Sequence, residues 1–331
     1  MARPTVREIA AEAGVSIATV SRVMTGKAPV APETQELVHQ AVERLGVRAR
    51  RPVREGAIFV RCPYVLTDYF GIIVSSIAET LDLHHRRLVL NAGEAAQQTP
   101  ALQNLSRDPA VAGAILILPP EPDEELRSLR SQGFPFVVVD PRTTLPADIA
   151  SVSAAHSTGA RSVTAHLTAL GHRRIGFIGG PTEWLSSQAR LVGHTSALAD
   201  VGVLPEPDLL RSVEPTTEQG YRAAVSLLDQ RPTALVGFND KIAVGALRAA
   251  HERGLRVPAD LSITGFDDSD ISRSTTPELT TVRQPLEEMG RIAVSLLLRL
   301  IDRHTVDALH IELGTHLVKR ASTAAVSQVS L

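Results

Sequence analysis

The feature that most constrains this 331-residue chain is the pattern of its first 46 residues. Thr5-Val-Arg-Glu8 has the form of a capping box, in which the Thr hydroxyl accepts a bond from the backbone near Glu8 and Glu8 returns one. Val6, Ile9, Ala10 and Ala13 then recur at helical spacing. Gly14 closes this helix, because glycine takes the left-handed turn without a steric penalty. Ser16 is suited to cap a second helix over about 17–24. That helix turns Val20, Val23 and Met24 inward and Ile17, Ala18, Ser21 and Arg22 outward. A third helix is expected from Pro32 to Gly46, with Leu37, Val38, Ala41, Val42 and Leu45 as its buried stripe. Two short helices joined by a glycine turn form a helix-turn-helix, whose second helix enters the major groove of double-stranded DNA by its N-terminal part. On that reading Arg22 grips a guanine edge and Ile17 and Ala18 touch thymine methyls. The hydroxyls of Thr5, Ser16, Thr19 and Ser21 suit phosphates. Helix patterning alone also fits a three-helix bundle with no nucleic-acid role.

Charge separates this head from the rest. The whole chain is close to neutral, at -2, yet residues 1–56 carry a balance of +3 and the remainder -5. A basic end on an acidic body suits a polyanion-binding head attached to a body with another task. Cys62 is the only cysteine, which leaves no intrachain disulfide and no multi-cysteine metal site. The N-terminus lacks the apolar stretch of a signal peptide and no run approaches membrane-spanning length, so the cytoplasm is the expected location and no membrane partner is expected.

From Ala57 onward, apolar strand-like runs alternate with helical patterns. The runs are 57–61, 88–91, 114–118, 135–140, 174–179, 234–238 and 261–266. The helical patterns lie near 71–86, 95–107, 123–132, 155–170, 188–200, 217–229 and 241–253, with a late helix near 286–302. Buried strands alternating with helices indicate parallel sheets with right-handed crossovers. Seven such units exceed one comfortable sheet, so two lobes are expected.

The string from Thr5 to Met24 (TVREIAAEAGVSIATVSRVM) closely resembles the head of the lactose-repressor (LacI/GalR) family. Val30-Ala-Pro-Glu-Thr34 resembles that family's entry to its third helix, with Ala31 in place of the usual Ser. The resemblance continues through 170–181 (LGHRRIGFIGGP), 232–240 (PTALVGFND), 265–268 (GFDD) and 279–285 (LTTVRQP). It implies a small all-α helix-turn-helix head, residues 1–46, on an α/β two-lobe body like a periplasmic binding protein, with two Rossmann-like parallel sheets. The body is expected over 57–331, the N-lobe as 57–153 with 285–312 and the C-lobe as 154–284 with 313–331.

The linker, 47–56, departs from the family. Val47 and Ala49 stand where relatives usually carry Tyr and Pro, Gly56 falls where a minor-groove Leu wedge is expected, and Pro52 interrupts any helix begun at Arg48. The chain is therefore expected to lack the wedge-type hinge helix. Arg48, Arg50, Arg51 and Arg54 remain, either to neutralise phosphates and enter a narrow minor groove or as a solvated basic linker.

Ligands of open α/β lobes bind beyond the carboxyl ends of the strands. Asp140, Asn239, Asp240, Asp267 and Asp268 fall there. The resemblance implies that Arg190 clamps a sugar, with Asn239 and Asp267 completing the polar set. It also implies that Tyr69 and Phe70 contact the effector and that Trp184 and Ser186 lie on an effector loop. Gln284 falls at the final crossover. Asp240 and Asp268 are read as structural caps or turn formers. The implied function is a regulator released from operator DNA by a small sugar and acting as a homodimer. A nucleobase effector and a solute-binding protein are the alternatives. Ile72, Ile73, Ile77 and Leu81 are candidates for the dimer face or for ordinary core. No Gly-x-Ser-x-Gly elbow, Walker loop, dinucleotide fingerprint or zinc spacing occurs, so no enzyme, cofactor or metal is expected.

Overall fold

Thr5 starts the first helix as its sequence demands. In this computed structural model, which describes residues 5–25, 30–45, 56–98, 100–306 and 308–326, Thr5 Oγ1 accepts from Glu8 N at 3.4 Å and Thr5 N donates to the Glu8 carboxylate at 2.5 Å. Helix α1 spans Val6–Ala13 and stops at Gly14, whose φ of 65° is left-handed. Ser16 Oγ accepts from Thr19 N at 3.1 Å and begins α2, Ile17–Thr25. Helix α3 spans Pro32–Arg44. Ile9, Ala10, Val20, Val38 and Val42 form the core of this head. Two residues expected inside are not: Leu37 is 51% and Met24 39% exposed. Three short helices enclose room for only a narrow stripe, and Val38, Ala41 and Val42 fill it.

The chain divides into two compact units, Met1–Arg54 and Glu55–Leu331. Residues 46–55, including Gly46, Arg48, Arg50 and Arg51 and nearly all of the expected linker, lie outside the described residues. Gly56, the last linker position, belongs to the body: a Cβ there would meet Ala110 O at 2.6 Å, so this close approach admits no wedge side chain.

The body contains two parallel sheets. The first joins β1 (Ala57–Cys62), β2 (Leu88–Ala92), β3 (Val111–Ile117), β4 (Phe136–Val139), β5 (Ala150–Ala154) and β11 (His310–Leu313) in the order β11-β5-β4-β3-β1-β2. The second joins β6 (Ile175–Gly179), β7 (Leu210–Ser212), β8 (Ala234–Gly237) and β9 (Ser262–Thr264) in the order β7-β6-β8-β9. A small antiparallel pair, β10 (Thr281–Arg283) with β12 (His316–Val318), lies where the chain crosses between them. Strand β3 shows why the first sheet is covered on both faces. Ile115 and Ile117 enter one core and Ala114 and Leu116 the other, as a two-residue period requires; Val111 and Ala112 follow the opposite phase, where the register with β1 shifts between Ala57 and Ile58.

Helices α4 (Asp68–Leu83) and α11 (Leu286–Ile301) pack together against the first sheet. On the second, α6 (His156–Ala169) pairs with α7 (Leu185–Ala199), and α8 (Thr217–Leu228) with α9 (Asp240–Glu252). Helix α5 covers Asp123–Ser131, and the single turn α10 covers Asp270–Arg273. Of the candidate dimer residues on α4, Ile73, Ile77 and Leu81 are fully buried in the core, and Ile72 packs partly buried against it.

The structure corrects two readings of the body. The helix expected over 95–107 is a 3-10 turn at Glu94–Gln98 followed by turns, because Pro100 cannot continue a helix and disfavours one in the residue before it. Strands β5, β7 and β11, which the periodicity did not mark, complete the two sheets.

Candidate functional site

On α2 the four residues expected to turn outward share one exposed face: Ile17 is 48% exposed, and Ala18, Ser21 and Arg22 are exposed with it. Thr5 and Ser16 cap their own helices, and Ser16 Oγ lies 2.8 Å from Thr19 Oγ1. These three hydroxyls are therefore held at the N-termini of α1 and α2, where the helix dipole and free N–H groups favour an anion.

The body gathers its candidates where the carboxyl ends of the two sheets meet. Asp140 directly follows β4 and Asp267 is the third residue after β9, on left-handed backbone with φ of 50° and 107°. Aspartate tolerates such a conformation better than most residues, and strain of this kind collects at functional sites. The Tyr69 hydroxyl, from the first turn of α4, donates to Asp140 Oδ2. His156 Nε2 lies 2.9 Å from Asp140 Oδ1, and its Nδ1 lies 3.2 Å from Arg190 Nη2. The tautomer with its proton on Nε2 satisfies both contacts. Arg190 Nη1 donates to Phe238 O, and Nη2 lies 3.9 Å from Asp267 Oδ1. Gln284 Nε2 donates to the same Asp267 oxygen at 2.6 Å. One buried polar chain thus runs from Tyr69 on the first lobe through His156 and Arg190 to Asp267 and Gln284.

Aromatic rings wall this chain. The Arg190 guanidinium carbon sits 3.8 Å from the Phe266 ring centroid and 4.2 Å from that of Phe238. Trp184, immediately before α7, meets Phe238 edge-on at 6.3 Å. Phe70 stacks on Tyr64 at 4.5 Å and meets Tyr69 edge-on at 5.1 Å. The chain has one Trp, three Tyr and seven Phe, and six of these eleven rings line the cleft.

The electrostatics differ from one carboxylate to the next. Burial alone raises the Asp140 carboxyl, but His156, the Tyr69 hydroxyl and Arg190 outweigh it and hold it below the usual range. At Asp267 burial wins over Arg190 and Gln284, and the carboxyl rises to about 6. Burial, followed by the charge on Asp140, pushes the Tyr69 phenol well above its ordinary value, so it remains a donor. Two atoms in this chain are buried without a hydrogen-bond partner, Arg190 Nε and Gln284 Oε1, and Ser187 Oγ is a third at the start of α7. One donor and one acceptor left open in an apolar-walled cleft match a ligand hydroxyl, which both gives and accepts.

Asn239, expected in the polar set, also has a local partner. Its Oδ1 accepts from Ile242 N at 3.0 Å and caps α9, which leaves the amide N–H groups as donors for a ligand. Ser186 is buried in the first turn of α7 beside Ser187. Asp240 and Asp268 are structural, as their positions suggested. Asp240 accepts from Ser269 N at 2.8 Å and Thr281 Oγ1 at 2.6 Å, and Asp268 pairs with Arg320, Arg283 and Arg273. Sequence reasoning missed Tyr64, His156, Ser187, Phe238 and Phe266. The strand-end rule that found Asp140 points equally to Tyr64 after β1 and His156 after β5, once β5 is known.

Two family descriptions match the chain: bacterial regulatory proteins of the lacI family over residues 5–48, and a periplasmic binding protein-like domain over 164–323. The chain is 36% identical to the HTH-type transcriptional regulator MalR of Streptomyces coelicolor over 344 aligned positions, covering 96% of each chain. Its fold is similar to that of the transcriptional regulator CelR in its cellobiose complex, with a TM-score of 0.75 and 30% identity over 97% of this chain and 100% of the other. It is also similar to the lac repressor dimer bound to operator and the anti-inducer ONPF, with a TM-score of 0.72 and 29% identity over 98% of this chain and 100% of the other. Head and body together make the assignment: the chain belongs to the lacI family of bacterial transcription regulators.

Proposed function

We propose that this chain is a repressor that binds operator DNA through α2 and is released when a small sugar occupies the cleft between its lobes. The open Arg190 Nε and Gln284 Oε1, in a cleft lined by most of the chain's aromatic rings, carry this reading. Sugars present hydroxyl edges to polar side chains and C–H faces to aromatic ones. The carboxylates of Asp140 and Asp267 are matched by the guanidiniums of Arg190 and Arg142, which favours a neutral ligand over a charged one. The cellobiose complex of the similar regulator CelR agrees with a saccharide effector. The cleft is read as a binding site rather than a catalytic one.

In the head, Arg22, Ile17 and Ala18 read base edges, and Thr5, Ser16, Thr19 and Ser21 hold phosphates, with Arg48, Arg50 and Arg51 following the backbone from the linker. Two copies read two half-sites, as in the similar lac repressor dimer bound to operator. The edge strand β2 is a candidate face for the second copy, since Val89 is 46% and Leu90 41% exposed there. A partner in the chromosome places the protein in the cytoplasm. Linkage requires that a sugar which weakens DNA binding be bound less well by the DNA-bound protein.

The test has two arms. A thermal-shift screen of mono- and disaccharides, with purines as control, is expected to give a shift with a saccharide, and a purine-only shift refutes the effector class. Arg22→Ala is expected to weaken operator binding by about 1–3 kcal/mol and to relax the choice at one base pair, read by fluorescence anisotropy on operator variants. Unchanged affinity and selectivity refute the assigned reading face.

A further inference from the structure

Beside the Arg190 cluster lies a second combination of one guanidinium and several rings. Tyr64 follows β1 and stacks nearly parallel on Phe70, at an interplanar angle of 5°. Arg142, on the loop after Asp140, donates from Nη2 to the Tyr64 hydroxyl at 2.6 Å, and that hydroxyl donates to Leu118 O at 3.0 Å. The Arg142 guanidinium carbon lies 5.1 Å from the Trp184 ring centroid and 5.8 Å from that of Tyr64. The Arg142 carbonyl accepts from Leu185 N at 2.8 Å, which ties this loop of the first lobe to the start of α7 on the second.

Three contacts thus fix the guanidinium, yet its Nε–H is buried without a hydrogen-bond partner. Among the described residues no carboxylate comes within ion-pair distance of Arg142. A buried donor left open in a native site calls for an explanation, and here the surroundings are planar and apolar. The two sites share a wall. Phe238 lies against Arg190 on one side and against the edge of Trp184 on the other, and Trp184 faces Arg142.

We infer that Arg142, Tyr64, Phe70 and Trp184 form a second sugar subsite, so that the effector is a neutral saccharide of at least two rings. This rests on the sugar reading above and specifies it. The inner ring takes its hydrogen bonds from Arg190, Asp267 and Gln284. The outer ring stacks on the Tyr64–Phe70 pair and on Trp184, and one of its hydroxyls accepts from Arg142 Nε. Burial pushes the Tyr64 phenol up to about 12, which keeps it neutral against a neutral ligand.

Isothermal titration of the full chain tests this with maltose, cellobiose, lactose, trehalose, sucrose and melibiose, alongside glucose, galactose and fructose. One disaccharide is expected to bind at least about tenfold tighter than either of its constituent rings. Arg142→Ala is expected to reduce that ratio about tenfold, the worth of one charged hydrogen bond, whereas Asp267→Ala weakens both ligands together. Trp184→Phe, which keeps the wall apolar, is expected to lower the same ratio and serves if Arg142→Ala does not fold. A monosaccharide that binds as tightly as every disaccharide containing it overturns the second subsite and leaves the sugar reading standing. Equal losses for both ligands in Arg142→Ala and Trp184→Phe also overturn it. Binding of no saccharide overturns both readings at once.

Discussion

Asp267→Asn separates what this carboxylate offers a ligand from what it costs the fold. Burial raises the carboxyl from 3.8 to about 6, against the opposing pull of Arg190 and Gln284. An acid whose folded value is raised binds more protons folded than unfolded between those two pH values. Its contribution to stability therefore falls as pH rises through that window. Above about pH 7 the charge costs the folded state about 3 kcal/mol. Asparagine removes the charge and still presents an oxygen to Gln284 Nε2. It also relieves Asp240, whose carboxyl rises to about 7, first through burial and then through the charge on Asp267. At about 2 °C per kcal/mol for a large domain, Asp267→Asn is expected to melt roughly 6 °C above the parent at pH 8, with the gain fading near pH 4.5. The same change exchanges a charged hydrogen bond to the effector for a neutral one, a loss of about 1–1.5 kcal/mol, or roughly tenfold in affinity. Calorimetric melting at the two pH values, followed by titration with the sugar from the screen, reads both effects. A variant that melts at or below the parent at pH 8, or that keeps the same advantage at pH 4.5, refutes the reasoning.

Two further outcomes follow from packing and burial. A Cβ on Gly193 would sit 2.1 Å from Ser157 O, where α7 crosses α6, one turn beyond Arg190. Gly193→Ala is expected to cost about 1–3 kcal/mol as overpacking and to weaken the effector by shifting Arg190 between its rings; an unchanged melting temperature contradicts this. Burial holds the His194 imidazole down at about 4, with Nδ1 at 3.0 Å from Thr164 Oγ1. A base lowered on folding contributes stability above about 6.5 that is lost as pH falls toward 4. His194→Gln is therefore expected to be less stable at pH 7 but to show a shallower acid-side decline, and parallel pH profiles for variant and parent sink the idea.

The sequence by itself determined what depends on short windows. The capping box at Thr5, the glycine stop at Gly14 and the exposed face of α2 arise from bonds and periods within a few residues, and the structure holds each of them. The alternation of apolar runs and helical patterns determined the class of the body, and the strand-end rule located Asp140 and Asp267. Tertiary structure decided what depends on distant partners. Strand β11 is the weakly patterned His310–Leu313, and it exists because His310 aligns with Ser151 in β5, itself a run of small residues with little strand signal. His156 enters the site only once β5 is in place. Arg190 is a buried cation because Phe238 and Phe266, from two other strand ends, close on it. Period and capping act along the chain and can be read from it, whereas pairing and burial join residues far apart in sequence, from Arg190 with Phe238 to His310 with Ser151, and exist only when the sheets have formed.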